Sequence, residues 1–240
     1  MSSIDHLFVT LFAVIYPLVG FVGFRRLLRR IEAGRPLNRH DLYRNTIAGH
    51  WLLFVMAVLI WVGSGRDWGE LGLGSQIDRN FLAGAALTAA GIGVLLLQLS
   101  KITKLRQPAI DRLGQQFGRL APLIPRNGSE LARFKLVSLS AGIVEEVLWR
   151  GYLIWYLTQH LPLWSAATLS TLGFGLAHAY QGTENLFRIT VVGAVLTVLY
   201  LLSGSIWLSI VLHVAVDVLQ GRLAYEISRR STPVAQPGNS

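Results

Sequence analysis

Apolar runs long enough to cross a lipid bilayer recur along this chain, and no other feature narrows its fold so far. A helix needs about 20 apolar residues to cross the hydrocarbon core. Runs approaching this length occupy 7–24, 46–63, 81–99, 134–157, 162–180, 188–202 and 205–219. The last two are short and separated only by Ser203-Gly204. The stretch 105–125 is not an eighth, because Pro108, Gly114, Pro122 and interspersed cations break it. Of all residues 52% are apolar and 15% charged, against about 25% charged in a soluble domain. That leaves too few charges to wet a globular surface and too many apolar side chains for a disordered chain. The absence of cysteine excludes disulfides, a thiolate nucleophile and zinc–cysteine sites. The expected fold is an all-α, polytopic membrane helix bundle of about seven transmembrane helices.

The net charge of +9 follows the same plan. The 25–45 connection holds seven arginines, the 100–135 connection and its flank eight cations, and Arg222, Arg229 and Arg230 follow the last run; these make 18 of the 22 Lys and Arg. Seven alternating spans put all of them on one side, the cytoplasm by the positive-inside bias. The opposite side keeps Arg66 and Arg79. The leader, Met-Ser-Ser-Ile-Asp-His, is not basic, so the first run reads as a span with its N-terminus outside rather than a cleaved signal. No basic face interleaved with aromatics is present, so nucleic acid is not an expected partner. The chain divides into a three-span region over 1–130, a polar-motif core over 131–221 and a disordered cytoplasmic tail over 222–240. The 100–133 connection is expected to carry a surface helix near 109–120. His50, Trp51, His160, Trp164 and Trp207 read as interfacial anchors. Gly91-Ile-Gly93 and Gly173-Phe-Gly175 suit close helix packing.

Ionisable groups inside a span cost about 2.5–3.5 kcal/mol each on insertion scales, so those in the last four spans need a reason. Glu146 and Arg150 are four apart and share one helix face, which suits an ion pair. Glu145 points about 100° away, with no cation three or four residues from it. Such a carboxyl can accept or donate a proton near neutrality. His178 ends Phe174-Gly-Leu-Ala-His178, and Phe174, one turn earlier, can wall a pocket or simply pack. His213 and Asp217 share a face of the last span, as a hydrogen-bonded pair, an oriented imidazole or a metal-ligand pair. Groups that cannot face lipid turn inward, and three spans doing so point to one shared pocket. At 1.5 Å per residue they fall between the midplane and the cytoplasmic face of a core about 30 Å thick.

The ordered set Glu145-Glu146-x-x-x-Arg150, Phe174-x-x-x-His178 and His213-x-x-x-Asp217 resembles the CPBP family, the CAAX-protease and bacteriocin-processing (Abi) intramembrane endopeptidases. The resemblance covers about residues 130–220 and none of the first three spans. It implies a glutamate-dependent endopeptidase in which Glu145, assisted by His178, activates a water. His213 and Asp217 would then stabilise the oxyanion, with Glu146, Arg150 and Phe174 supporting. The family more often has Asn where this chain has Asp217, and an ionised Asp would repel an oxyanion. Asp217 would then be protonated, or would orient His213, or the site would hold a metal. The glutamate mechanism requires no cofactor; were a divalent metal such as zinc present, its ligands would be Glu145, His178, His213 and Asp217. The implied partners are the lipid bilayer and a membrane-anchored protein or peptide substrate, with a bacterial cell membrane as the location. A non-catalytic immunity or scaffold protein of the same family is the alternative. A proton-coupled transporter would carry similar residues, but no duplicated halves are seen.

Overall fold

The computed structural model describes residues 1–74, 76–102 and 104–231, and among them all regular structure is helical. The helices are α1 (Ser3–Glu32), α2 (Arg39–Gly63), α3 (Arg79–Ile102), α4 (Gln107–Gln115), α5 (128–158), α6 (Leu163–Ala177), α7 (Thr183–Ser203) and α8 (Ile206–Arg230). Local chemistry explains their ends. Asn38 caps α2 by accepting from the His40 and Asp41 amides at 3.0 and 3.3 Å, and Asn127 caps α5 by accepting from the Glu130 amide at 2.9 Å. Gly204, at φ 64°, takes the left-handed conformation that stops α7 before α8 begins.

Among the described residues, five helices are long and apolar enough to cross a membrane: α1, α2, α3, α7 and α8. The remaining two expected spans correspond to α5 and α6. The first is long but carries Glu145, Glu146 and Arg150 at its middle; the second is apolar but only 15 residues long. The runs expected to be short are longer than their apolar stretches, because α7 begins at Thr183 and α8 continues to Arg230. That continuation also corrects the expected tail: residues 222–230 are helical, and 232–240 lie outside the described residues. The expected surface helix is α4 followed by a 3-10 turn, Gly118–Leu123. It is not free on the surface, since Ile110 is buried against Ile102 and Ile227.

The centre of the bundle is α5. Its Glu146–Leu153 stretch is a π-helical turn, and all eight of its residues are buried. Such turns are rare and recur at functional sites. Phe8 and Phe12 of α1, Trp61 of α2 and Phe174 of α6 pack around Trp149 and Tyr152 on this turn. The Trp149 carbonyl accepts from the Ser170 hydroxyl of α6 at 2.6 Å. Between helices in lipid the attraction comes mostly from close packing, so small residues matter. A Cβ on Gly142 would stand 3.0 Å from the Val214 backbone nitrogen, so α5 and α8 touch main chain to main chain there. Gly175 likewise faces Thr190, and Gly91 faces Leu212. A Cβ on Gly93 would meet nothing within 4 Å, so close packing does not require a glycine there.

Each end of the bundle is tied by polar contacts. At one end Asp5, fully buried, accepts from Arg66 Nη1 and Nη2 at 2.8 and 2.6 Å, from the Tyr152 hydroxyl and from the Ser2 amide. The Arg66 guanidinium lies over the Trp155 ring at 4.2 Å. Burial pulls its pKa down, but the bonds to Asp5 and Tyr152 outweigh this and hold it above the ordinary arginine value. At the other end Arg39 Nε and the Tyr43 hydroxyl donate to the Pro122 and Leu123 carbonyls at 2.8 and 2.7 Å. Arg230 donates to the Ile102 and Leu105 carbonyls at 2.8 and 2.7 Å, satisfying the last turn of α3. The three cation-rich segments therefore meet at one end.

Candidate active site

The polar residues of α5, α6 and α8 converge. Glu145 is the last residue before the π turn, and its carboxylate is surrounded by imidazoles from three other helices. His178 Nε2 lies 4.0 Å and His213 Nε2 3.9 Å from Glu145 Oε2. His50 Nε2 lies 3.6 Å from Glu145 Oε1. The solitary carboxyl expected from the local sequence is thus not solitary: its partners come from distant parts of the chain.

Each imidazole has a defined orientation. The Phe174 carbonyl can only accept, so His178 Nδ1–H donates to it at 2.9 Å, which leaves Nε2 facing Glu145. The His213 Nδ1–H donates to Glu146 Oε1 at 2.7 Å. It is Glu146, not Asp217, that orients His213. Asp217 Oδ2 stands 3.8 Å from His213 Nε2, beyond a direct hydrogen bond, and its side chain is 37% exposed.

Glu146 and Arg150 are both fully buried, and Arg150 Nη1 donates to Glu146 Oε1 at 2.9 Å. Arg150 also donates to the Gly193 carbonyl at 3.0 Å and to Thr197 Oγ1 at 3.4 Å. Its guanidinium sits 4.3 Å over the Phe174 ring. That ring in turn stands 4.8 Å from His178 and 6.0 Å from His213, centroid to centroid. Phe174 therefore both packs and forms an inner wall of the site. Gly193 lets the guanidinium approach, since a Cβ there would lie 3.2 Å from Arg150 Nη2.

The site is partly open. Glu145 and His178 side chains are 16% and 18% exposed, and Asp217 forms the open edge. An apolar cavity of about 280 Å³, lined by Phe54, Trp61, Ile143, Val147, Trp207 and others, lies against the opposite face of α5 and contains none of these groups.

The local sequence missed His50, Ser140, Gly193 and Thr197. For His50 a signal existed. The Asn38 cap with Asp41 three residues on starts α2 well before the apolar run. His50 then sits about three turns into the helix, not at its interfacial end.

Residues 127–219 match the family model described as type II CAAX prenyl endopeptidase Rce1-like. The match supports the CPBP (CAAX-protease) family for this segment. The CAAX-protease segment contains Glu145, Glu146, Arg150, Phe174, His178, His213 and Asp217, and it leaves α1, α2, α3 and His50 outside. Searches of curated proteins and of solved structures returned no match. Among the described residues no group of three or more His, Cys, Asp or Glu side chains is arranged to hold a metal ion.

Proposed function

We propose that this chain is an intramembrane endopeptidase that hydrolyses a peptide bond of a membrane-associated or lipid-anchored, CAAX-like substrate through a water activated by Glu145. The observation that carries the reading is the gap of 4.0 Å between Glu145 Oε2 and His178 Nε2, at a partly open site. One water at hydrogen-bond distance from both atoms fits such a gap.

Glu145 takes a proton from that water while His178 fixes its position. The hydroxide oxygen adds to the substrate carbonyl carbon. The oxyanion that forms needs a donor, and His213 Nε2 is the nearest candidate. Because Nδ1–H is already given to Glu146, Nε2–H exists only in the imidazolium form. Asp217 at the open edge balances that charge rather than touching the oxyanion. On collapse the C–N bond breaks and the Glu145 carboxyl returns its proton to the leaving amine. Glu146 and Arg150 hold His213 and Phe174 in place. The end of the bundle where the cation-rich segments meet is assigned to the cytoplasm, with the N-terminus outside.

The test is cleavage of a prenylated or membrane-peptide library by the purified full chain. Wild type should cleave and Glu145→Ala should not. Equal cleavage by both would remove Glu145 from the mechanism. Activity that survives chelators but is lost in His178→Ala would exclude a metal mechanism. A folded wild type that cleaves nothing would favour the immunity or scaffold role.

A further inference from the structure

We propose that His50 is a positioning residue for Glu145, holding the carboxylate from the side opposite His178 and His213. Its catalytic consequence rests on the peptidase reading; the contact itself does not. His50 comes from α2, outside the CAAX-protease segment, and is 8% exposed. Its Nε2 faces Glu145 Oε1 at 3.6 Å, whereas the other two imidazoles face Oε2. At 3.6 Å the pair is longer than a direct hydrogen bond, so ring and carboxylate interact electrostatically, while the Ser140 hydroxyl, 3.3 Å from Nδ1, anchors the other edge of the ring. Ser140 is buried on α5 itself, five residues before Glu145, so the ring is held by the helix whose carboxylate it faces.

A Cβ on neighbouring Gly49 would lie 2.7 Å from the Tyr16 hydroxyl, so the Tyr16 side chain of α1 reaches α2 next to His50. The three-span N-terminal region thus gives the site a fourth helix. The physical role follows from the carboxylate torsion, which is broad and roughly two-fold when unrestrained. With Oε1 drawn toward the His50 ring edge, Oε2 stays beside His178, where the water is activated. Without it the carboxylate turns, and misplacement of about 1 Å costs on the order of 100-fold in rate. His50 is buried behind Glu145 and away from the open edge, so substrate affinity should not change.

The experiment uses the full chain in detergent or bilayers with a reporter membrane peptide. His50→Ala should lower kcat by about 10- to 100-fold with KM within about twofold. His50→Gln, whose amide can donate from near the Nε2 position, should recover part of kcat. In parallel, 15N spectra of the histidine rings should show the His50 Nε2 resonance moving in Glu145→Gln. Unchanged kcat in His50→Ala, or equal losses in His50→Ala and His50→Gln, would overturn the positioning role. So would a His50 resonance indifferent to Glu145→Gln. If wild type cleaves nothing, the peptidase reading fails by itself, and the ring-nitrogen shift alone decides whether His50 holds Glu145.

Discussion

Replacing Arg150 by Met should damage this protein in a way that a second substitution largely repairs. Arg150 and Glu146 are both fully buried, and the guanidinium makes three hydrogen bonds, to Glu146, Gly193 and Thr197. In Arg150→Met the Glu146 carboxylate keeps only the His213 Nδ1–H, and its Oε2 already has no hydrogen-bond partner. Breaking a buried pair by removing one member costs about 3–5 kcal/mol, because the other charge stays behind. At about 2–4 °C per kcal/mol for a chain of this size, the unfolding midpoint should fall by about 6–20 °C. Glu146→Gln/Arg150→Met removes both charges and should recover most of that loss, giving a coupling of about 2 kcal/mol or more in the double-mutant cycle. It should not recover activity, since His213 no longer faces a carboxylate. Tryptophan fluorescence on heating reads the midpoint, and the peptide assay reads the activity. An Arg150→Met protein that unfolds within about 2 °C of wild type would refute the reasoning.

Three further outcomes are expected. Gly142→Leu forces side-chain atoms onto the Val214 backbone, costing about 1–3 kcal/mol, and parts Glu145 from His213; cleavage should drop more than stability does. Asp5→Asn weakens a fully buried acceptor of two Arg66 bonds, so the midpoint should fall while the KM of the residual folded enzyme stays unchanged; an unaltered midpoint would mean the lock does not hold α1. His178→Ala should reduce kcat by about 100- to 10,000-fold, the range of a lost acid–base partner, and a loss under tenfold would assign water activation to Glu145 alone.

Much of the architecture could be read from local pattern. The helical membrane class follows from run length, because the bilayer imposes one thickness on every crossing element. The Glu146–Arg150 pair follows from the four-residue spacing and forms as expected. The inward convergence of Glu145, His178 and His213 follows from the cost of showing such groups to lipid. The expectation of a disordered segment from 222 onward failed over 222–230, because α8 continues through these residues and Arg230 bonds to the Ile102 and Leu105 carbonyls.

What could not be read shares one physical cause. Helix period and bilayer cost are properties of a short stretch, so the residues alone determined that this chain is a helical membrane bundle with a motif of acids and imidazoles facing inward. Which atom meets which across the bundle depends on how small residues let backbones approach, and no stretch encodes its partner. Only the packed structure decided that Glu146 rather than Asp217 orients His213, and that the buried Asp5 receives Arg66 from sixty-one residues away. The same packing brings His50 of α2 to within 3.6 Å of Glu145.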